Sequence, residues 1–199
     1  IWDKVFMDNS EEKNIKVYQP WSAPLLHFSL NPRPLRQLIR ITDTISRDPN
    51  RISYNDKLTG EIENEWKIPA STFNFHSFKS YIKNLSWEYL ETLTSQYHIE
   101  NDEIPKSLVI FKKNITEIEL ISSWFNDQVD NEYNPMHNHT GILSGVLYLK
   151  IPEYLPSRKT KDTDGSISFI GNESKTDGVM TNSTITISPK VGDLFLFPS

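Results

Sequence analysis

The chain has 199 residues, 37% of them apolar and 12% aromatic, which is enough for one domain with a full hydrophobic core. Its 21 basic and 26 acidic residues leave a formal net charge of −5. We expect neither a nucleic-acid partner nor binding to an anionic membrane, because both need a broad basic surface. The absence of Cys excludes disulfides and thiolate metal sites. No apolar run reaches the length of a membrane-spanning helix, and no secretory leader is recognisable.

The N-terminal segment predicts a strand followed by a helix. Residues 1–24 are polar and irregular, whereas "LLHFSL", residues 25–30, alternates in the manner of a strand. A first helix is predicted over residues 31–46. Asn31 is a suitable N-cap there, prolines occupy the first turn, and apolar residues follow at helical spacing.

A second helix is predicted after a turn-rich connection. Residues 47–69 contain turn signals throughout, and we expect them to wrap the surface. Residues 72–98 then carry one apolar stripe that includes Phe75, Phe78 and Ile82.

The pattern changes after His98, where short β-branched or aromatic segments are separated by Gly, Pro, Asn and Asp. This pattern is typical of an all-β barrel or sandwich. The predicted strands lie within residues 106–113, 117–125, 142–151, 166–171, 183–188 and 193–197.

Two histidines two positions apart, His137 and His139 in "YNPMHNHTG", are candidate metal ligands. At the start of an extended strand, residues i and i+2 point to the same face, so both imidazoles would converge on one point. Neutral imidazole is the commonest protein metal ligand, and a site with open positions suits catalysis at iron. The alternative is a pair of surface histidines on a polar loop. The strand that follows favours a barrel, because Gly145 allows close approach of a neighbouring chain segment.

The motifs "WFN", "YNPMHNH", "LSGVLYL" and "GDLFLFPS", in this order, resemble the 2-oxoglutarate/Fe(II)-dependent oxygenases. The closest resemblance is to the prolyl-4-hydroxylase-like branch found in bacteria and marine phages. It covers residues 105–199, and "PWSAPLLHFSL" is similar to the family's opening strand. The resemblance implies a mainly β fold with N-terminal helices, built as a double-stranded β-helix (a jelly-roll or cupin-like barrel). It further implies a single domain over residues 1–199, in which residues 1–104 supply the supporting strand and helices.

The resemblance also implies roles for individual residues. His137 matches the first iron ligand, and His139 stands where a carboxylate is usual, so that it is either a ligand or lies beside the iron. Tyr148 matches a phenol that contacts the distal carboxylate of 2-oxoglutarate, and Asn126 is a candidate polar contact to that co-substrate. The distal His ligand and the basic residue for 2-oxoglutarate are expected after Ser199, together with the last strands of the barrel.

Other interpretations of these residues remain open at this point. Trp124, like Asn126, lies on the strand before the histidine turn and could line the pocket, but it could equally be a core aromatic. Tyr148 could also be a core strand aromatic. The remaining histidines, His27, His76 and His98, precede the barrel and are interpreted as structural or surface residues.

The function implied by the resemblance is oxidative decarboxylation of 2-oxoglutarate to succinate and CO2, coupled to hydroxylation of a peptide, a protein side chain or a small molecule. The implied cofactors are Fe(II) and 2-oxoglutarate, with ascorbate as a supporting reductant. The implied location is the cytoplasm of a bacterium or of a phage-infected host, and a homodimer is compatible with it. Two alternatives are a three-histidine cupin-type dioxygenase and a non-enzymatic jelly-roll binding or structural module.

Overall fold

A computed structural model of the chain describes residues 15–18, 23–57, 62–73, 76–99, 114–153, 163–171 and 184–199. Within these ranges, eight strands and two α-helices make a mainly β fold, as predicted. In chain order they are β1 (Ile15–Tyr18), β2 (Leu25–Ser29), α1 (Pro32–Arg47), β3 (Glu65–Lys67), α2 (His76–Ile99), β4 (Trp124–Asn126), β5 (Leu143–Leu147), β6 (Ile167–Ile170), β7 (Thr184–Ile187) and β8 (Asp193–Pro198). Neither described helix has the length and apolar character that crossing a bilayer requires.

The largest sheet has four strands in the order β1-β2-β8-β5, and every pair in it is antiparallel. Strands β2 and β8 are therefore central, which explains why both read as nearly continuous apolar runs rather than as alternating sequences. In the register, Leu196 of β8 lies between Leu26 of β2 and Gly145 of β5.

The two faces of this sheet are both covered. Alternate side chains of β2 and β8, such as Leu26 and Leu196, pack on one face against Leu85 and Tyr89 of α2. Side chains of the opposite parity form a second cluster on the other face, where the β6–β7 hairpin covers the sheet. The members of that cluster are Leu25, Phe169 and Phe195, with Tyr148, Ile167, Ile187 and Phe197 packed around them.

Strands β3 and β4 form a second, smaller antiparallel sheet. Its other edge is extended by residues 52–54, because Ser53 forms a bridge with Trp66 and the Tyr54 N–H donates to the Glu65 carbonyl at 2.8 Å. Phe125 of β4 attaches this sheet to a cluster built around Leu30, Leu38 and Ile68.

Several predicted boundaries agree with the structure, and some are wrong. Helix α1 starts after Asn31 as predicted, although the Asn31 side chain makes no capping hydrogen bond. Helix α2 begins at His76 rather than at residue 72. Residues 70–73 instead form a 3-10 helix, in which the Thr72 N–H donates to the carbonyl of Pro69 at 2.9 Å.

Two other expectations about strands need correction. The polar N-terminal segment was expected to be irregular, but Ile15–Tyr18 form β1 because they pair in register with β2. Residues 117–125 were expected to be one strand, yet only Trp124–Asn126 are, because β3, the strand that pairs with them, is only three residues long. The predicted strand at 106–113 lies outside the described residues.

The contact between β5 and β8 predicts that Gly145→Ala destabilises the protein. A Cβ atom on Gly145 would lie 2.8 Å from Leu196 Cδ2 and 3.3 Å from the Phe195 carbonyl oxygen. Leu196 is buried in the core and packs there with Leu85 and Tyr89, so its side chain and the β8 backbone must both shift. We expect a loss of about 1–3 kcal/mol in the free energy of unfolding, measured by urea denaturation. Ser29→Ala, at an exposed position of β2, is the matched control, and equal stability of the two variants would contradict the prediction.

Candidate metal site

The loop between β4 and β5 carries the histidine pair and is anchored to the chain just before β3. The Asp127 N–H donates to the Asn64 carbonyl at 2.8 Å. The Glu132 carboxylate accepts one hydrogen bond from the Glu63 N–H and another from the Val129 N–H, both at 2.8 Å. The bonds from Asp127 to Asn64 and from Glu63 to Glu132 join segments distant in sequence, so they fix the start of the loop relative to the smaller sheet.

His137 and His139 converge, as the two-residue spacing predicts. Both are half-buried, whereas the flanking Met136 and Asn138 are exposed, and the two imidazole centroids are 4.7 Å apart. The expectation that the pair begins a strand is wrong, since β5 begins only at Leu143. The convergence therefore comes from a loop with alternating side chains and not from a sheet.

One ring nitrogen of His137 is held by the backbone. Its Nδ1 lies 2.7 Å from the Pro135 carbonyl oxygen. A carbonyl can only accept, so Nδ1 carries the proton of the neutral ring and Nε2 keeps its lone pair. Histidines that bind metals commonly donate their second ring N–H to a carbonyl or carboxylate in this way. The geometry of His137 therefore fits a metal ligand that binds through Nε2.

His139 is held in its neutral form by its surroundings. Its ring meets Phe197 of β8 edge-on, with centroids 5.3 Å apart. Burial lowers the pKa of His139 below its ordinary value of 6.5, and the nearby charge of His137 lowers it further. A metal binds the neutral imidazole, so this environment favours binding near neutral pH.

These two imidazoles are the donors that the described residues bring together. No group of three or more His, Cys, Asp and Glu side chains in the described part of the chain is arranged to hold a metal ion. His27 lies elsewhere, buried in β2, with its Nε2 3.0 Å from Asp193 Oδ1. The side chains of His76 and His98 are outside the described residues. Two imidazoles with open positions fit part of an iron site.

Tyr148 and His139 pack against the same face of the large sheet, each against a different phenylalanine of β8. Its ring meets Phe195 edge-on at 6.3 Å between centroids, whereas His139 meets Phe197. Its backbone is fixed at both ends, since its N–H donates to Asp193 at 2.9 Å and its carbonyl accepts from Gly192 at 2.7 Å. Tyr148 thus packs against the aromatic core and also lies on the face that carries the candidate ligand.

Trp124 and Asn126 lie on the smaller sheet. Trp124 stacks on Tyr54, with centroids 5.2 Å apart and ring planes 20° from parallel. Asn126 is exposed and stands opposite Glu65 in the register. The structure brings Trp124 to Tyr54 rather than to the histidine pair.

Glu65 is a residue near the pair that sequence reasoning missed. It is 0% exposed, and its pKa is raised by burial and by the charge of Glu132, while the charge of His137 lowers it. The proximity of His137 joins Glu65 to the surroundings of the candidate site. The sequence carried no signal for this, because Glu65 occurs in a polar, turn-rich segment that reads as surface.

Comparison with known protein families gives a match over the part of the chain that contains the histidine pair. A protein-family model with the description "Putative 2OG-Fe(II) oxygenase" matches residues 122–199, which contain both histidines, Tyr148 and Asn126. The match covers less than half of the 199 residues. Searches of curated proteins and of solved structures found no match. The family match supports the 2-oxoglutarate/Fe(II) oxygenase superfamily, a class of oxidoreductases that use iron(II) and 2-oxoglutarate.

The surroundings of His139 predict how this residue titrates. In metal-free protein its imidazole should titrate below 6.5, as followed by its ring carbon chemical shifts in NMR spectra over pH. The unfolded chain then binds more protons than the folded one between the two pKa values. The part of the free energy of unfolding that depends on His139 titration is therefore complete above pH 6.5. It is lost as the pH falls toward the pKa of His139 in the folded chain.

The variant His139→Asn supplies the control for this titration. It should lose that pH-dependent part of the free energy of unfolding, while Asn138→Ala, on the same loop, should keep it. A His139 that titrates at 6.5 or higher would contradict the described burial of its ring.

Proposed function

We propose that the protein is an Fe(II)- and 2-oxoglutarate-dependent oxygenase of the prolyl-4-hydroxylase-like branch, with the double-stranded β-helix of that family. The proposed reaction hydroxylates a peptide or protein side chain, or a small molecule, with release of succinate and CO2. The observation that carries the proposal is the convergence of two imidazoles at 4.7 Å within the segment that matches the family model.

His137 and His139 would hold the iron, which when bound supplies the oxidising chemistry with O2 and 2-oxoglutarate. The Pro135 carbonyl keeps the proton of His137 on Nδ1, so that Nε2 is the nitrogen that would bind the iron. The ring of Phe197 restricts the rotation of His139. Phe169 packs on Phe197 with centroids 5.1 Å apart and helps to exclude water from this end of the sheet.

Two further residues are proposed to contact the co-substrate. The phenol of Tyr148 would donate a hydrogen bond to the distal carboxylate of 2-oxoglutarate. Its fixed backbone and its position on the face that carries His139 support this role. Asn126 is proposed as a weaker polar contact, supported by its exposed amide near the start of the histidine loop.

A three-histidine dioxygenase of the cupin type is the second candidate. It is favoured by one observation, namely that both convergent donors are imidazoles and that no carboxylate joins them in the described part of the chain. The two candidates differ in their need for 2-oxoglutarate, which such a cupin enzyme would not consume.

Conversion of 2-oxoglutarate tests the proposal directly. Full-length protein with Fe(II), ascorbate and O2 should form succinate, measured by mass spectrometry. His137→Ala should lower the rate on the order of 100-fold or more, because it removes an iron ligand. Asn138→Ala leaves both imidazoles in place and should retain the activity. Metal binding without any consumption of 2-oxoglutarate would favour the cupin-type enzyme. Failure of the native protein to bind either would refute both candidates.

The variant Tyr148→Phe separates a role in co-substrate binding from a role in packing. We expect the KM for 2-oxoglutarate to rise about tenfold with little change in kcat, because one hydrogen bond to a charged carboxylate is lost. The free energy of unfolding should change little, since the ring that meets Phe195 is retained. An unchanged KM would assign Tyr148 to the core alone.

A further inference from the structure

Glu65 is buried in a way that calls for a ligand. The residue is 0% exposed, and within the described part of the chain neither oxygen of its carboxylate has a hydrogen-bond partner. An ionised carboxylate in this state bears a large desolvation penalty, which no hydrogen bond from the described residues offsets and which the charge of His137 offsets only in part. Buried polar groups are otherwise nearly always paired, so an unpaired carboxylate is an exception that needs a physical explanation.

An aromatic pair lies on the face of the small sheet that carries Glu65. In the register, Glu65 lies between Tyr54 on one side and Asn126 on the other. Trp124 lies opposite Lys67. Tyr54 and Trp124 come from the two chain segments that flank β3, and their rings stack at 5.2 Å. Because residues directly opposite or two positions apart share a face of a sheet, we infer that this stack passes over Glu65.

No lysine or arginine in the described part of the chain forms an ion pair with the Glu65 carboxylate, and the charge of His137 only partly balances it. Glu132 adds a negative charge, and its own oxygens already accept hydrogen bonds from the N–H groups of Glu63 and Val129. Lys67 shares the face of Glu65 but is exposed to solvent. Arg51 lies 4.2 Å from the ring centroid of Trp66, which projects from the opposite face of β3.

The geometry favours an organic cation over a metal ion at this position. Among the described residues, Glu65 does not form part of any group of three donors that could hold a metal. An ammonium or guanidinium group, in contrast, needs one carboxylate and gains from the faces of Tyr and Trp rings. Both features occur here on one face of the sheet, and the carboxylate is close enough to His137 for the two charges to interact.

We propose that Glu65, with the Tyr54–Trp124 pair, binds an ammonium or guanidinium group carried by the substrate, next to the iron position at His137. This inference rests on the proposed function, because it names the chemistry of the substrate at that same site. The substrate class is thus a lysine- or arginine-like side chain, or a small molecule with such a group. Its entry separates the two stacked rings and places its charge against the carboxylate.

Binding of small cations to metal-free protein tests this inference without any turnover. The probes are butylammonium and butylguanidinium chloride, compared with sodium chloride at the same ionic strength. Wild-type protein should show a raised Tm and a change in tryptophan fluorescence with either probe. Glu65→Gln should weaken the apparent affinity about tenfold or more, since it keeps the shape of the side chain and removes its charge. Its Tm without a probe should be higher than that of the wild type.

Control variants separate this inference from the proposed oxygenase function. Glu63→Gln removes an exposed carboxylate two residues away and should leave the response unchanged. Trp124→Leu keeps Glu65 and should weaken the response, which gives a second test if Glu65→Gln folds poorly. His137→Ala should retain the response to the cations although it loses succinate formation.

Two results would overturn the inference. An equal response of wild type and Glu65→Gln to both probes would show that the carboxylate binds no cation. A loss of Co2+ binding in Glu65→Gln, measured by visible absorption, would assign Glu65 to the metal site. If wild-type protein responds to the cations but never consumes 2-oxoglutarate, the oxygenase proposal alone fails.

Discussion

The pairing of β8 between β2 and β5 is the constraint on which the rest of the structure depends. Both edges of β8 are hydrogen-bonded, so its side chains can only alternate between the two faces of the sheet. Leu194 and Leu196 pack toward α2, while Phe195 and Phe197 face the β6–β7 hairpin. A register shift by one residue would exchange these sets and bury the wrong side chains on each face.

This alternation also positions the candidate site. Phe197 supplies the aromatic edge against His139, and Phe195 supplies the one against Tyr148, so neighbouring aromatics of a single strand position a candidate iron ligand and a candidate co-substrate contact. The loop that carries the histidines needs a second anchor, which Glu132 gives through the backbone of residue 63. The candidate site thus depends on both sheets, although each histidine lies on a loop.

The electrostatics of the region oppose a positive charge on His139 and favour one beside Glu65. Burial lowers the pKa of His139, which keeps its ring available as a ligand, and burial raises the pKa of Glu65. A carboxylate buried without a hydrogen bond is costly for folding, and both this group and the neutral imidazole of His139 can bind a cation. Unsatisfied groups of this kind cluster at functional sites, because a ligand completes what the folded chain leaves open.

The sequence by itself determined the helix after Asn31, the strands at residues 25–29 and 193–198, and the convergence of His137 and His139. These features depend on local spacing, prolines in the first helical turn and runs of apolar residues, which act over a few neighbouring positions. Only the tertiary structure decided that β1 is a strand, that β4 is short, and that the histidine pair precedes its strand. Each of these features depends on which other segment of the chain pairs with or packs against it in the folded protein. The burial of Glu65 was decided in the same way, because the residues that cover and charge it are distant along the chain.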